Sequence, residues 1–166
     1  MENIEQDKTT QFLKEKFGDA ILAVETPYDF LTVVARQASI VEIIQSLYGS
    51  AEMQYQYLTS LCAVHYPDAN QFAIVYQLHS FTNNKRIRLK IYIPADNPVT
   101  PSITHVFSAA NWLERETYDF YGVQFQGHPD LRRILNVDDM IIFPLRKEYP
   151  LEDQTREDKQ DYMFGR

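Results

Sequence analysis

The sequence has 166 residues, of which 45% are hydrophobic, so it is long enough for one compact core but hardly for two. Its formal net charge of -7 opposes a broad electrostatic attraction to nucleic acid or anionic lipid and favours a protein partner. Cys62 is the only cysteine, which excludes an intrachain disulfide, a cysteine-rich zinc site and a self-contained iron–sulfur cluster. Its apolar neighbours predict a buried thiol.

The N-terminal residues are charged and are followed by no apolar run of signal-peptide or membrane-spanning length. We therefore expect a cytoplasmic chain that meets a membrane only through partners. A weakly helical pattern runs from Ile4 to Phe17, with Asn3 as a possible cap and Gly18 as the stop.

Two β-rich runs follow, Ile21 to Glu25 and Phe30 to Ala35, and the turn-forming residues between them predict adjacent antiparallel strands. A second helix is marked by Ser39 and Glu42, which have the spacing of a capping box, and by Gly49 at its end.

Three further strands are predicted at Tyr57 to Val64, Phe72 to Leu78 and Arg86 to Ile93, with turn residues between them, and they indicate a meander. The last strand alternates strictly. One side carries Ile87, Leu89, Ile91 and Ile93, and the other carries Arg86, Arg88 and Lys90. One face of the sheet is therefore expected to be buried and the other to face solvent or a partner.

A third helix is predicted to start after Ser102, because apolar residues recur at helical spacing from Ile103 to Leu113. The order α-β-β-α-β-β-β-α predicts a two-layer α+β domain with a mostly antiparallel sheet, spanning residues 1–122. Residues 123–166 are predicted to be an irregular, extended segment that binds a partner, because its charged end has little to bury.

Ionisable residues are dense between Trp112 and Leu135, which invites a catalytic interpretation. A free-standing hydrolase would use Glu116 or Asp119 as base and His128 as acid. However, the chain has no phosphate-binding glycine loop or nucleophile elbow, and its four scattered histidines indicate no metal site. A structural ion-pair network, including an Arg115–Asp119 pair one helical turn apart, is the favoured interpretation and no catalytic residue is assigned.

The same stretch, WLERETYDFYGVQFQGHPDLRRIL, resembles the signature of the C-subunit family of respiratory complex I, the NADH-quinone oxidoreductase. A second landmark of that family is similar to the downstream PLRKEYPL. The residues that carry the resemblance, which we predict to take part in partner docking, are Glu114, Arg115, Glu116, Asp119, Gly122, Gly127, His128, Pro129, Arg132, Arg133, Pro144, Leu145, Arg146, Lys147, Tyr149 and Pro150. The chain departs from the family at Ile141, Ile142 and Phe143, where a Trp-Glu-Gly-His-like stretch is common, and this makes the surface more apolar.

The resemblance implies a non-catalytic subunit of the hydrophilic arm, on the cytoplasmic side of the membrane. It implies no cofactor in this chain, with FMN, iron–sulfur clusters and quinone in partner subunits. The implied partners are the hydrogenase-like large subunit of the quinone site and neighbouring iron–sulfur subunits. The same role in a paralogous ferredoxin- or hydrogenase-linked complex remains open.

Two further expectations concern single features. Gly122 and Gly127 are expected to have positive φ, the first at the end of the helix and the second before a corner at His128. The basic row on the last strand of the meander could suggest an RNA-binding sheet, but the expected aromatic motif is missing and the net charge is unfavourable.

Overall fold

The computed structural model describes residues 7–149. Its helices and strands, in chain order, are α1 (Lys8–Phe17), β1 (Ile21–Glu25), β2 (Thr32–Ala35), α2 (Ile40–Gly49), β3 (Tyr57–Tyr66), β4 (Gln71–Ser80), β5 (Lys85–Pro94), β6 (Val99–Pro101), α3 (Ala110–Tyr121) and β7 (Gln124–Gln126). The predicted α+β class and order of the main elements are confirmed. The short strands β6 and β7 were not predicted.

Five strands form one sheet in the order β1-β2-β5-β4-β3. The neighbours β1–β2, β3–β4 and β4–β5 are antiparallel, as the hairpin and meander patterns predict, whereas β2 and β5 are parallel. The parallel pair arises because α2 and the β3–β4 hairpin intervene between β2 and β5, so the chain returns to the centre of the sheet in the same direction.

The core lies on one face of this sheet. Ile87, Leu89, Ile91 and Ile93 are at most 1% exposed, as their alternation predicts. The apolar side of α2, including Ile40 and Leu47, is likewise fully buried and belongs to the same core. Burying each such side chain contributes about 1.5–3 kcal/mol, so the alternating pattern accounts for much of the packing.

The opposite face carries Arg86, Arg88 and Lys90 on β5, and these residues are exposed or half-buried. Cys62 lies on this face as well, because it is paired with Val75 while its neighbours Leu61 and Ala63 point into the core. The prediction of a buried thiol is therefore wrong, since Cys62 is exposed on an edge strand.

The structure differs from prediction at two helix starts, those of α1 and α3, and in the capping of α2, which starts after Ser39 as expected. The N-cap of α1 is Asp7, whose side chain accepts a hydrogen bond from the Thr9 amide at 3.2 Å, while Asn3 lies outside the described residues. Ser39 makes no side-chain cap bond, because a short 3₁₀ turn precedes α2 and gives Ser39 a helical backbone. α3 starts at Ala110, since residues 102–109 form turns in which Ser102 binds Thr104 instead.

The chain continues to pack beyond α3. β7 pairs in parallel with β6, and Val123 and Phe125 are buried in the core. From Gly127 to Tyr149 the described chain has turns and bends but neither helix nor strand. No helix within residues 7–149 has the length and apolar character required to cross a membrane.

Candidate functional site

Helix α3 turns ionisable side chains toward the protein interior and its tryptophan toward solvent. Glu114 and Asp119 have no exposed surface and Arg115 is 8% exposed, whereas Trp112 is 58% exposed. Because burying a charge is costly unless hydrogen bonds compensate it, each of these side chains must have a specific contact to make.

The Asp119 side chain forms hydrogen bonds with the segment that follows β7. Its Oδ2 accepts hydrogen bonds from the backbone amides of Ile134, Leu135 and Asn136 at 3.1, 2.8 and 2.9 Å. Its Oδ1 accepts from Nη1 of Arg133 at 2.7 Å, in a salt bridge whose arginine side chain is 8% exposed. Burial alone would raise the pKa of Asp119, but the amides of Asn136 and Leu135 and the Arg133 guanidinium outweigh it and hold the pKa well below its usual range.

Arg133 binds the far end of the same segment. Its Nη2 donates to the carbonyl oxygens of Met140 at 2.6 Å and Ile142 at 3.0 Å, and Nη1 also donates to the carbonyl of Asp119. Its guanidinium lies 5.2 Å from the centre of the Phe143 ring. We call residues 133–142 the Asp119 loop, because one buried ion pair connects both of its ends to α3.

Arg115 supports the start of this loop. Its Nε and Nη2 donate to the carbonyls of Arg132 and Arg133 at 3.2 and 3.0 Å, and its guanidinium lies 5.3 Å from the Trp112 ring centre. The predicted Arg115–Asp119 ion pair is wrong, because the two side chains bind successive parts of the following segment instead.

The end of the segment is attached at Gly122, which ends α3 with φ +77°. A Cβ built on Gly122 would lie 2.6 Å from a ring carbon of Phe143 and 2.9 Å from Nη2 of Arg146. Arg146 stacks on Phe143 and donates to the Tyr121 carbonyl at 2.7 Å, and Leu145 donates to the Phe120 carbonyl at 3.2 Å. The positive φ predicted for Gly122 and Gly127 is confirmed, and at Gly122 the close approach also demands a glycine.

The outer side of the Asp119 loop carries exposed aliphatic side chains, together with the exposed aspartates Asp138 and Asp139. Leu135 is 66%, Val137 62% and Ile141 92% exposed, although the backbone behind them is fixed by hydrogen bonds to buried groups. Because exposed aliphatic residues on an ordered backbone are typical of interaction sites, this surface is a candidate for partner docking.

Glu114 occupies a separate buried polar cluster. Its Oε1 accepts from the Ile103 amide at 2.8 Å, but its Oε2 has no hydrogen-bond partner. The buried hydroxyls of Tyr76 and Thr100 are also unpartnered. Burial raises the pKa of Glu114 to about 7, against the opposing effect of the Ile103 amide and the Ser102 hydroxyl.

The other residues of the predicted site are spread more widely. His128 contacts the Asn111 carbonyl through Nε2 at 3.1 Å and accepts from the Asp130 amide through Nδ1. Glu116, Pro129 and Arg132 are exposed, and Arg132 pairs with Asp130. The remaining positions lie near the end of the described chain: Pro144 is half-buried, Lys147 and Tyr149 are exposed, and Pro150 lies outside the described residues.

Two contacts of this region were not predicted from the sequence. Phe143 packs between Arg133 and Arg146, and His65 on β3 accepts from the Lys147 amide at 3.1 Å. The sequence alone gives no signal for the His65–Lys147 contact, which joins residues 82 positions apart.

The arrangement does not suit acid–base catalysis. Asp119 has no exposed surface, uses both oxygens and has a lowered pKa, while both ring nitrogens of His128 have partners. Within the described part of the chain, no three His, Cys, Asp or Glu side chains are grouped closely enough to bind a metal ion.

Comparison with known proteins identifies similar chains. Residues 33–155 match the family described as "Respiratory-chain NADH dehydrogenase, 30 Kd subunit". The chain is 42% identical to the C subunit of NADH-quinone oxidoreductase from Geobacter sulfurreducens, covering 92% of this chain and 94% of that protein. It is 44% identical to the corresponding C subunit of Caulobacter vibrioides over 79% of this chain and 66% of that protein.

Two solved structures have a similar fold. The trypsin-resistant fragment (1–134) of Nqo5 is 29% identical, with a TM-score of 0.61 over 73% of this chain and 97% of the fragment. A chain of the archaeal membrane-bound sulfane sulfur reductase, a respiratory membrane complex, is 21% identical, with a TM-score of 0.72 over 85% of this chain and 82% of that chain. At that identity the second likeness concerns the fold alone.

Proposed function

Because the chain belongs to the family of the 30 kDa subunit of respiratory-chain NADH dehydrogenase, we propose that it is a non-catalytic docking subunit of a proton-translocating NADH:quinone oxidoreductase. In this proposal it supports electron transfer from NADH to quinone only within the assembled enzyme. FMN, iron–sulfur clusters and quinone belong to other subunits. The chain is peripheral, on the cytoplasmic side of the membrane, and binds the hydrogenase-like large subunit through residues 123–166.

The main support for the proposal is the Asp119 loop. Its backbone is held by hydrogen bonds to buried side chains, while several of its apolar side chains face outward. Leu135, Val137 and Ile141 are all more than 60% exposed. A loop that is ordered before binding loses less conformational entropy when it docks, so a larger share of the apolar contact energy is available for affinity.

The size of the apolar contribution supports a role in assembly. Burying three aliphatic side chains in a partner contributes about 1.5–3 kcal/mol each, before the cost of association. Even part of this energy corresponds to a tenfold or greater change in affinity, since about 1.4 kcal/mol is a factor of ten. Removing one of the three should therefore be measurable.

The proposal is tested by expressing a tagged chain in its native background and isolating it from gently solubilised membranes. Partner identity and NADH:quinone reductase activity are read from the same eluate. We expect the wild type to recover a hydrogenase-like large subunit together with inhibitor-sensitive NADH oxidation. We expect Ile141→Asp to recover much less of both, because a buried unpaired carboxylate in the interface is strongly unfavourable.

Glu15→Lys is the matched control, since Glu15 is exposed on α1, is not among the predicted docking residues, and its substitution also changes a surface charge. The fold of each variant is checked by its thermal transition. A wild-type chain that elutes alone, or an Ile141→Asp variant that assembles as well as the control, would overturn the docking proposal. Recovery of the large subunit with activity from reduced ferredoxin instead of NADH would assign the chain to a paralogous complex.

A further inference from the structure

The second exposed feature of the fold is the solvent-facing side of the five-stranded sheet. We call it the open sheet face, and its centre is the row Arg86, Arg88 and Lys90 on β5, the middle strand. Alternate residues of a strand lie about 6.7 Å apart, so the row presents three positive charges at regular intervals. It lies on the side of the sheet away from the core, whereas the Asp119 loop is attached to α3.

These three cations lack an acidic partner within the described chain. Among residues 7–149, no carboxylate lies within salt-bridge distance of Arg86, Arg88 or Lys90. Arg88 contacts an aromatic ring, with its guanidinium 4.7 Å from the centre of Phe30, and its Nε is buried without a hydrogen-bond partner. Three like charges side by side repel one another, and no carboxylate among residues 7–149 offsets this repulsion by an ion pair with the row.

The neighbouring strands add no negative charge to the centre of the open sheet face. Register places Thr32 and Val34 of β2 beside Arg88 and Lys90. On β4, Gln77 and Val75 lie opposite the same two cations, and on β3 the next position is Cys62. The three central strands β2, β5 and β4 therefore carry these cations and no carboxylate, in a chain whose net charge is -7. The carboxylate of this face that the register identifies is Glu25 on the edge strand β1, in line with Thr32 and Arg88.

Aromatic side chains lie at both ends of the row. Tyr66 and Tyr92 pair at one end, with ring centres 6.3 Å apart, and each is 41% exposed. At the other end Phe81, which is 69% exposed, contacts His79 and Tyr57. Exposed aromatic rings next to unpaired cations are typical of protein interfaces, where tyrosine and arginine are enriched.

We propose that the open sheet face binds an acidic, extended segment of a partner polypeptide, with its carboxylates against Arg86, Arg88 and Lys90. An extended segment matches the row, because its alternate side chains have the same spacing of about 6.7 Å. Apolar side chains beyond the carboxylates then contact the aromatic pairs at either end. This surface is separate from the Asp119 loop, so the proposal does not depend on docking through that loop.

The first test measures binding by the purified full-length chain. The probe is a fluorescent peptide with glutamate at alternate positions and a tyrosine at each end. Its binding is measured by fluorescence anisotropy at low salt. We expect saturable binding that weakens with added salt and falls by about fivefold in Arg86→Gln/Lys90→Gln, because each exposed ion pair contributes up to about 1 kcal/mol. The control Lys8→Gln/Lys14→Gln removes two exposed charges of α1 and should bind like the wild type.

Equal binding by both double variants, or no binding at millimolar peptide, would overturn the proposal. Tighter binding to a single-stranded RNA oligonucleotide than to the peptide would overturn it in favour of a nucleic-acid surface. Thermal transitions of the variants are compared. A transition at or slightly above that of the wild type is expected, because both substituted side chains of β5 lie outside the core and their removal relieves like-charge repulsion.

The second test identifies the partner in the assembled complex. A carbodiimide joins an amine to a carboxylate in direct contact, so adducts of Lys90 mapped by mass spectrometry report what lies on the open sheet face. We expect Lys90 to be joined to an aspartate or glutamate within an acidic segment of another polypeptide. Lys90 joined only to its own chain, or recovered without an adduct while Lys8 or Lys14 react, would overturn the proposal.

Discussion

Replacing Glu114 by glutamine should remove a pH-dependent loss of stability. Glu114 has no exposed surface, and one carboxylate oxygen has no hydrogen-bond partner. Glutamine keeps the carbonyl oxygen that accepts from the Ile103 amide and carries no charge. It therefore imitates the protonated form of Glu114.

The magnitude follows from the two pKa values of Glu114. Burial raises the pKa of the folded state to about 7 from an ordinary value of 4.5. The folded state therefore binds more protons than the unfolded state between these values, and the free energy of unfolding falls as the pH rises through this window. The loss amounts to about 1 kcal/mol at pH 5 and about 3 kcal/mol at pH 8, and it is constant above the folded pKa.

The assay is urea denaturation of the wild type and Glu114→Gln at several pH values between 5 and 8. Other groups contribute to each stability curve, so the informative quantity is the difference between the two proteins. We expect Glu114→Gln to be more stable than the wild type, by an amount that grows by about 2 kcal/mol from pH 5 to pH 8. Glu116→Gln, an exposed neighbour on the same helix, should differ little from the wild type at any pH.

Parallel stability curves for the wild type and Glu114→Gln would refute the reasoning, because Glu114 would then titrate alike in both states. A variant less stable than the wild type at pH 8 would refute it as well, since the ionised carboxylate would then be the favoured form.

The other predictions concern how the loop is attached. Asp119→Ala should lower the free energy of unfolding, measured by urea denaturation, by about 3–5 kcal/mol, because Arg133 is left unpaired. It should also expose residues 133–142 to limited proteolysis. The control Arg132→Gln should lower the free energy of unfolding by under about 1 kcal/mol. The wild-type contribution of Asp119, whose pKa is lowered from 3.8, should be complete above about pH 4 and be lost as the pH falls further. Gly122→Ala should destabilise the protein by about 2 kcal/mol or more, and Gly127→Ala by only about 1 kcal/mol. Both glycines have positive φ, but only Gly122 lacks space for a Cβ. Equal effects at the two glycines, or a protected loop in Asp119→Ala, would contradict this arrangement.

Much of the fold could be predicted because local pattern and tertiary environment agree. The strict alternation of β5 follows from a sheet with one buried face, and Gly18 and Gly122 end helices as expected. The start of α3 could not be predicted, since Ile103 and Phe107 are buried at helical spacing although their backbone forms turns. The parallel β2–β5 pair depends on strand order, which local patterns do not contain.

The candidate site could be predicted in its residues but not in its contacts. The density of charges around Asp119 indicated an ion-pair network, yet its partner is Arg133 instead of Arg115, one turn away on the same helix. Three backbone amides in the following segment decide this choice, because a buried carboxylate needs every available donor. Helical periodicity predicts which residues are neighbours along a helix, but it does not predict contacts with a later segment that packs back against that helix.

Cross-linking from position 141 tests the docking proposal most directly. A photoreactive residue replaces Ile141 in the chain assembled in its native membrane complex, and a second chain carries it at Lys14 on α1 as a control. After illumination we expect a specific adduct with the hydrogenase-like large subunit from position 141 and none from position 14. No adduct with another subunit from position 141, or equal adducts from both positions, would contradict docking through the Asp119 loop.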